Sequence, residues 1–333
     1  MNHTLSDFDF QLPEELIAQS PAHPRDHARL LVYNRATKEI TDDYFYNLGK
    51  YLHPESTLVV NNSKVEKCRL MFDGGKKELF VTSVRNNNTI EALVRPGKKF
   101  RVGKAVELAE GITAKVTHVA EDGLRTIILS HDLDAPELES FKYTPFPPYI
   151  GQDESLAEEY QTVYARDLGS KAAPTAGLHF TEELLQKLNQ QGIQKSEVTL
   201  HVGLGTFAPV KTEKLDEHVM HSEWYQLDTK TSNELNKAKH VTAVGTTSVR
   251  VLESISNQAR KFEAGNGDTD IFITPGYQFK AVDSLITNFH LPKSTLLMLV
   301  SAFMGFEEMH RLYEHAIAQK YRFYSFGDGM LIL

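Results

Sequence analysis

The chain has 333 residues, 41% of them hydrophobic and 24% charged, with a net charge of −8 and one cysteine, Cys68. That length exceeds a single core of roughly 250–300 residues, so two domains are expected. The longest apolar run, Leu296–Val300 and on toward Met304, is far short of the ~20 residues of a membrane span. The start MNHTLSDFDF lacks the basic and apolar pattern of a secretory signal, and a lone cysteine excludes an internal disulfide. A cytoplasmic protein with no membrane partner is expected.

In chain order, LPEELIAQ (12–19) predicts a short helix, with Pro13 at its start and acids in its first turn. LLVY predicts a strand, DDYFYNLGKYLHP an amphipathic helix ended by Pro54, and Thr57–Asn61 a buried β-branched strand. From Leu70 to about Ser130 the pattern changes. ELFVTSV, TIEALV, AVELA, ITAKVTHV and RTIIL are short strands separated by Gly-Gly, Asn-Asn-Asn, Pro-Gly and Asp-Gly turns, the rhythm of a small antiparallel barrel or sandwich. The Pro-rich 144–151 reads as a linker back to a larger body. After it the chain alternates: Thr181 caps a helix that stops at Gly192, VTLHV is a strand, SNELNKAK a helix and HVTAVG a strand. VRVLESISNQ then reads as a helix, DIFITPG as a strand, STLLMLVSAFM and FEEMHRLYEHAIAQK as helices, and GMLIL as a final strand.

Charge is uneven. Residues 61–104 hold eleven Lys/Arg against four acids, a net +7 that leaves −15 for the remainder. A basic β module on an acidic body is an electrostatic footprint for nucleic acid, although a solvated Lys-rich surface has the same composition.

Candidate chemistry gathers in three places. Ser170–Trp224 holds His179, His201, His218 and His221 among small residues and hydroxyls. Small residues admit a ligand to the backbone and histidines titrate near neutrality. His218-x-x-His221 with Glu223 and His201 has weak metal-ligand spacing and no cysteine partner, so no metal is expected. At VTAVGTTSVR a glycine leaves a strand for a helix N-terminus carrying Thr246, Thr247, Ser248 and, one turn on, Arg250, groups suited to an anion or ribose. In VDSLITNFHLPKST, Asp283, Asn288, His290 and Lys293 crowd a strand-to-helix loop, where sites often sit.

These stretches together resemble the S-adenosylmethionine:tRNA ribosyltransferase-isomerase family of the queuosine pathway. The likeness is carried by DFDFQLPEELIAQSP, ALVRPGKK, PFPPYI, AAPTAGLHFT, TLHVGLGTFAPV, HVMHSEW, VGTTSVRVLES, TNFHLPKSTLLMLVSAF and KYRFYSFGDGM, in family order over nearly the whole chain. It implies an α/β main domain (1–60 with 150–333) carrying an inserted basic antiparallel β-barrel (61–149), in an L-shaped molecule; a monomer is expected. It further implies transfer and isomerisation of the ribosyl part of S-adenosylmethionine onto 7-aminomethyl-7-deazaguanine at the wobble position of a tRNA. Epoxyqueuosine forms, adenine and methionine leave, and no cofactor is used.

For that chemistry the acid/base candidates are His179 and His221, followed by His290 and Asp283. Thr175, Gly177, Gly203, Gly205 and Thr206 are expected around S-adenosylmethionine, with Thr246 and Arg250 on a ribose or carboxylate. Lys64, Arg69, Arg95, Lys98, Lys99 and Arg101 are expected to meet tRNA. Lys64 stands where the family pattern has Arg, and Lys171 where it has an apolar residue. Those two departures keep open a transferase with another acceptor, and the basic module keeps open a tRNA-binding protein without catalysis.

Overall fold

The structure, a computed structural model, describes residues 3–203, 205, 210 and 212–333. It contains two compact units: Met1–Lys64 with Pro147–Leu333, and Val65–Phe146. The architecture is mixed α/β.

The larger unit is built on a nine-stranded sheet in the order Gly265–Thr269, Glu223–Leu227, Gln194–Leu200, Ser56–Asn61, His240–Val244, Ser284–Asn288, Gly329–Ile332, Arg29–Tyr33, Ile40–Tyr44. Its central four strands run parallel, and antiparallel pairings flank them. Successive side chains of a strand face opposite sides, and here both sides are covered. Val59, Ala243 and Leu285 enter one core, while Leu58, Val60, Val244 and Ile286 enter another. Burial on both faces is why these strands read as continuous apolar runs rather than alternations. Thr295–Met304 is apolar all round for a related reason: it lies within the first core, beside Phe306–Ala318.

Asn61, at the end of its strand, continues the pairing with its side chain. Its amide donates to the Leu200 carbonyl at 2.9 Å and accepts from the N–H groups of Leu200 (3.0 Å) and Ser63 (3.1 Å).

The smaller unit is a curled half-barrel of seven antiparallel strands: Lys142–Tyr143, Arg69–Phe72, Lys77–Asn86, Thr89–Arg95, Arg125–Leu129, Ile112–Val119, Ala105–Ala109. Alternate residues (Leu79 and Val81, Ile90 and Ala92, Ala114 and Val116) face one core. Its ladder ends at two edge strands, so hydrogen bonding does not close a barrel.

Three predicted elements differ. DDYFYNLGKYLHP is the strand Ile40–Tyr44 followed by a 3₁₀ turn, Phe45–Lys50. Pairing with Arg29–Tyr33 overrides a periodicity that suited a helix. LPEELIAQ keeps only one 3₁₀ turn, Glu14–Leu16, because its backbone turns to bond Phe323 at 2.8 and 3.2 Å. DIFITPG is not a strand. The pairing segment precedes it, in the glycine-rich Gly265–Thr269, whose composition hides it from a β-propensity reading.

Leu285 is fully buried and Leu93 is 41% exposed. Leu285→Ala is expected to lower stability by about 2–5 kcal/mol in chemical denaturation, and Leu93→Ala to change it by less than about 0.5 kcal/mol.

Candidate active site

Parallel strands place their carboxyl ends together, and in open α/β sheets the crevice outside those ends is where ligands sit. Here residues 172–176, 245–247 and 287–291, joined by Arg250, Tyr149, Tyr324 and Ser325, line a cavity at that edge. Helix Thr246–Ile255 begins at it. Gly245 makes the turn at φ +86° and supplies no side-chain cap, so the first N–H groups of the helix lack intrahelical partners. A second, smaller chamber is lined by Gly205, His218, His221, Glu223, Phe272 and Leu299. Arg250 and Leu296 line both.

Arg250 and Glu223 are each 5% exposed and form a buried ion pair. Glu223 Oε1 also accepts from Gly203 N–H at 2.7 Å, and Arg250 Nη2 donates to the Thr269 carbonyl at 3.3 Å. Arg250 Nε, which is buried, has no hydrogen-bond partner among the described residues, and neither does Thr247 Oγ1 on the cavity wall. Such orphaned donors are rare in folded proteins and suit an oxygen-rich ligand.

Thr175 donates to Asn288 Oδ1 at 2.8 Å, and Asn288 Nδ2 donates to His179 Nε2 at 3.0 Å. His179 is enclosed behind this relay, its ring 4.9 Å from that of Phe45. Burial pushes its pKa down to about 3, and the cations Arg322 and Arg25 act in the same direction. His290 lines the cavity and bonds Thr287 Oγ1 through Nε2 at 2.8 Å. Burial pushes it, too, down to about 3. Both rings are therefore neutral hydrogen-bonding groups, not stores of positive charge.

His221 is exposed and packs on Gly205, where a Cβ would lie 2.2 Å from the imidazole Cδ2. Glycine at 205 is thus a matter of close approach. Gly177 serves a similar packing purpose beneath Tyr164, whose hydroxyl would be 2.0 Å from an added Cβ; it is not among the residues lining the cavity. Thr206 lies outside the described residues.

Asp283 sits away from this site, beside the start of strand Ser284–Asn288 rather than at its carboxyl end. It is paired with Arg260 and accepts from Val241 N–H at 2.7 Å. Its polar neighbours in the sequence suggested a site, but an ion pair at the opposite edge accounts for it.

Among the described residues no group of histidines, cysteines and carboxylates could hold a metal, and His201 stacks on Trp224 at 5.1 Å. Lys171 is 9% exposed, and burial lowers its ammonium to about 8. Thr287, and Glu223 outside a metal set, are the polar residues whose part the sequence did not suggest. Thr287 carried a usable signal, since with the already noted Asn288 it closes a buried apolar strand. In the smaller unit Lys98, Lys99 and Arg101 are exposed, whereas Arg69 and Arg95 both reach Glu78. Lys64 is exposed.

Residues 5–332 match a family described as queuosine biosynthesis protein. The chain is 50% identical over 338 residues to the S-adenosylmethionine:tRNA ribosyltransferase-isomerase of Carboxydothermus hydrogenoformans, covering 99% of each. It is 48% identical over 340 residues to that of Moorella thermoacetica, again covering 99% of each. Among solved structures it is similar to the S-adenosylmethionine tRNA ribosyltransferase of Thermotoga maritima, at 38% identity and a TM-score of 0.57, covering 98% of this chain and 100% of that one.

The two enclosed histidines make stability depend on pH. Each stays neutral when folded but binds a proton below about 6.5 when unfolded. The unfolded state thus gains protons first, and stability falls as pH drops from about 6.5 toward about 3. Each ring contributes up to about 1.4 kcal/mol per pH unit. Unfolding midpoints at pH 7 and pH 5 are expected to differ more in the wild type than in His290→Asn.

Proposed function

The chain belongs to the queuosine biosynthesis protein family and is an S-adenosylmethionine:tRNA ribosyltransferase-isomerase, and from that premise we propose how its two chambers divide the reaction. The larger cavity takes S-adenosylmethionine, and the chamber beyond Arg250 and Leu296 takes the aminomethyl group of 7-aminomethyl-7-deazaguanine presented by tRNA. The ribosyl group passes between them and rearranges, giving epoxyqueuosine with adenine and methionine as leaving products. The observation that carries this reading is Arg250, which lines both chambers beside an uncapped helix N-terminus. That position suits a carboxylate or ribose of the donor.

The sulfonium acidifies the neighbouring C5′–H, so a base can draw off that proton, adenine departs more readily when protonated, and the acceptor amine must shed a proton to attack. His221, exposed on the chamber wall, is the group best placed to exchange protons with solvent and acceptor. Neutral His290 and the Thr175–Asn288–His179 relay orient hydroxyls and amides around the donor. Gly203 gives its backbone N–H to Glu223, and Gly205 lets the chain pass close to His221. The cation-rich 61–104 stretch, most of it in the smaller unit, supplies contacts to tRNA, as part of an insertion in a cytoplasmic monomer. No helix among the described residues is long and apolar enough to cross a membrane. Near-full-length likeness to named enzymes favours this over a non-catalytic binding protein or a different acceptor.

Incubation with S-adenosylmethionine and tRNA bearing the deazaguanine precursor should release adenine and yield epoxyqueuosine by mass spectrometry. His221→Ala should lower kcat by about 10²–10⁴. Arg250→Lys, which loses the planar fork, should raise KM for S-adenosylmethionine about tenfold, or ~1.4 kcal/mol. Full turnover by both variants would remove these residues from the reaction.

A further inference from the structure

Cations of the smaller unit differ in what holds them. Arg69 Nε lies 2.6 Å from Glu78 Oε1 and Arg95 Nη2 lies 2.9 Å from Glu78 Oε2. Arg85 is paired with Glu91, Lys142 with Glu139, and Lys77 donates to the carbonyls of Glu107 and Leu108. Lys98, Lys99, Arg101 and Lys104 are exposed on the turn between strands Thr89–Arg95 and Ala105–Ala109. Among the described residues no carboxylate is paired with any of the four. Four unneutralised cations within seven residues are a concentration of positive potential, whereas the Glu78 pair of arginines is largely compensated.

A mobile Lys-rich turn would be an ordinary solvated surface, but this one is built. Arg125 gives its guanidinium to three backbone carbonyls: Nε to Phe100 at 3.0 Å, Nη1 to Gly123 at 2.6 Å and Nη2 to Gly97 at 3.3 Å. Gly97 leaves room for the last contact, since a Cβ there would lie 3.1 Å from Nη2. Phe100, at 1% exposure, anchors the middle of the turn in the core. Gly103 N–H donates to the Val116 carbonyl at 2.9 Å, and Arg101 Nε to the Lys98 carbonyl at 3.1 Å. Fixing the backbone in advance reduces the entropy lost when the cations are engaged. No carboxylate is spent on Arg125, so the brace adds its own charge to the turn.

We propose that residues 96–104 form a pre-organised docking element for the phosphate backbone of the RNA substrate. Arg125 is the residue that positions it, and Arg69 and Arg95 serve the half-barrel through Glu78. The proposal rests on the tRNA-modifying reading above and adds to it the element that holds the RNA. Neutralising a phosphate releases counterions, so each contact contributes roughly 0.7–0.9 to the slope of log affinity against log salt.

The test is binding of tRNA bearing the precursor base, followed over a salt series, alongside steady-state turnover. Lys98→Gln/Lys99→Gln/Arg101→Gln should reduce the slope by roughly two to three and raise KM for tRNA while leaving KM for S-adenosylmethionine unchanged. Lys187→Gln/Lys230→Gln/Lys237→Gln, the same number of exposed lysines in the larger unit, should leave the slope as in the wild type. Arg125→Met should raise KM for tRNA about tenfold with kcat retained, a split that general loss of folding would not produce. An unchanged slope in the first triple variant, or an equal loss in the second, overturns the proposal whether or not Arg125→Met folds. Absence of adenine release from the wild-type enzyme would instead refute the catalytic reading, and the salt slopes would still decide the docking element.

Discussion

Glu223 and Arg250 are taken out of water together at the carboxyl edge of the sheet, and neither can be left there alone. An isolated buried charge is costly enough that removing one partner of such a pair commonly destabilises by about 3–5 kcal/mol. The pair therefore ties three elements at once: the strand Glu223–Leu227, the helix Thr246–Ile255, and the turn at Gly203 whose N–H completes the carboxylate. Because Arg250 lines both chambers, the spacing between them is set by an interaction that tolerates little displacement. A two-substrate reaction needs that kind of fixed distance, since reacting groups must be held within near-contact of one another.

The neutral histidines follow from the same packing. His179 and His290 are buried, each against a neutral hydrogen-bond partner, so burial turns them from titratable groups into fixed hydrogen-bonding groups. Tyr324, on the same cavity wall, holds φ at +72°, a left-handed conformation uncommon for an aromatic residue. Strain of this sort persists where surrounding structure over-determines the backbone, and it clusters at functional sites.

Much of the frame was legible because its signals were local. Thr181 accepts from Leu184 N–H as a cap should, Ser294 does the same for Leu297, and the β-branched Ser56–Asn61 strand is buried at every position. The edge elements were harder. Ile40–Tyr44 carries Asp42 and Asp43 and becomes a strand only through its partner across the sheet, while Gly265–Thr269 has no apolar side chain with which to announce itself. At the site, sequence picked out Thr175, Thr246, Arg250 and His290 by residue type at strand and helix ends, and these line one cavity. It misplaced Asp283, since nothing in a single sequence says that Arg260 will reach it. It also passed over the pairing role of Glu223, which depends on a contact 27 residues away.

Asn61 bears on how such a molecule is assembled. The chain leaves the sheet from the middle of its parallel core, passes through the whole half-barrel, and returns. A strand ending there would strand the Leu200 N–H and carbonyl in a dry interior. The Asn61 amide meets both, standing in for one further peptide of the strand that has departed. With the seam sealed by a side chain, the sheet does not depend on the detour for its hydrogen bonding. The entropy of closing a loop grows only logarithmically with its length, so a module of almost any size can occupy that detour. The frame is thereby an open socket, with one asparagine as its gasket.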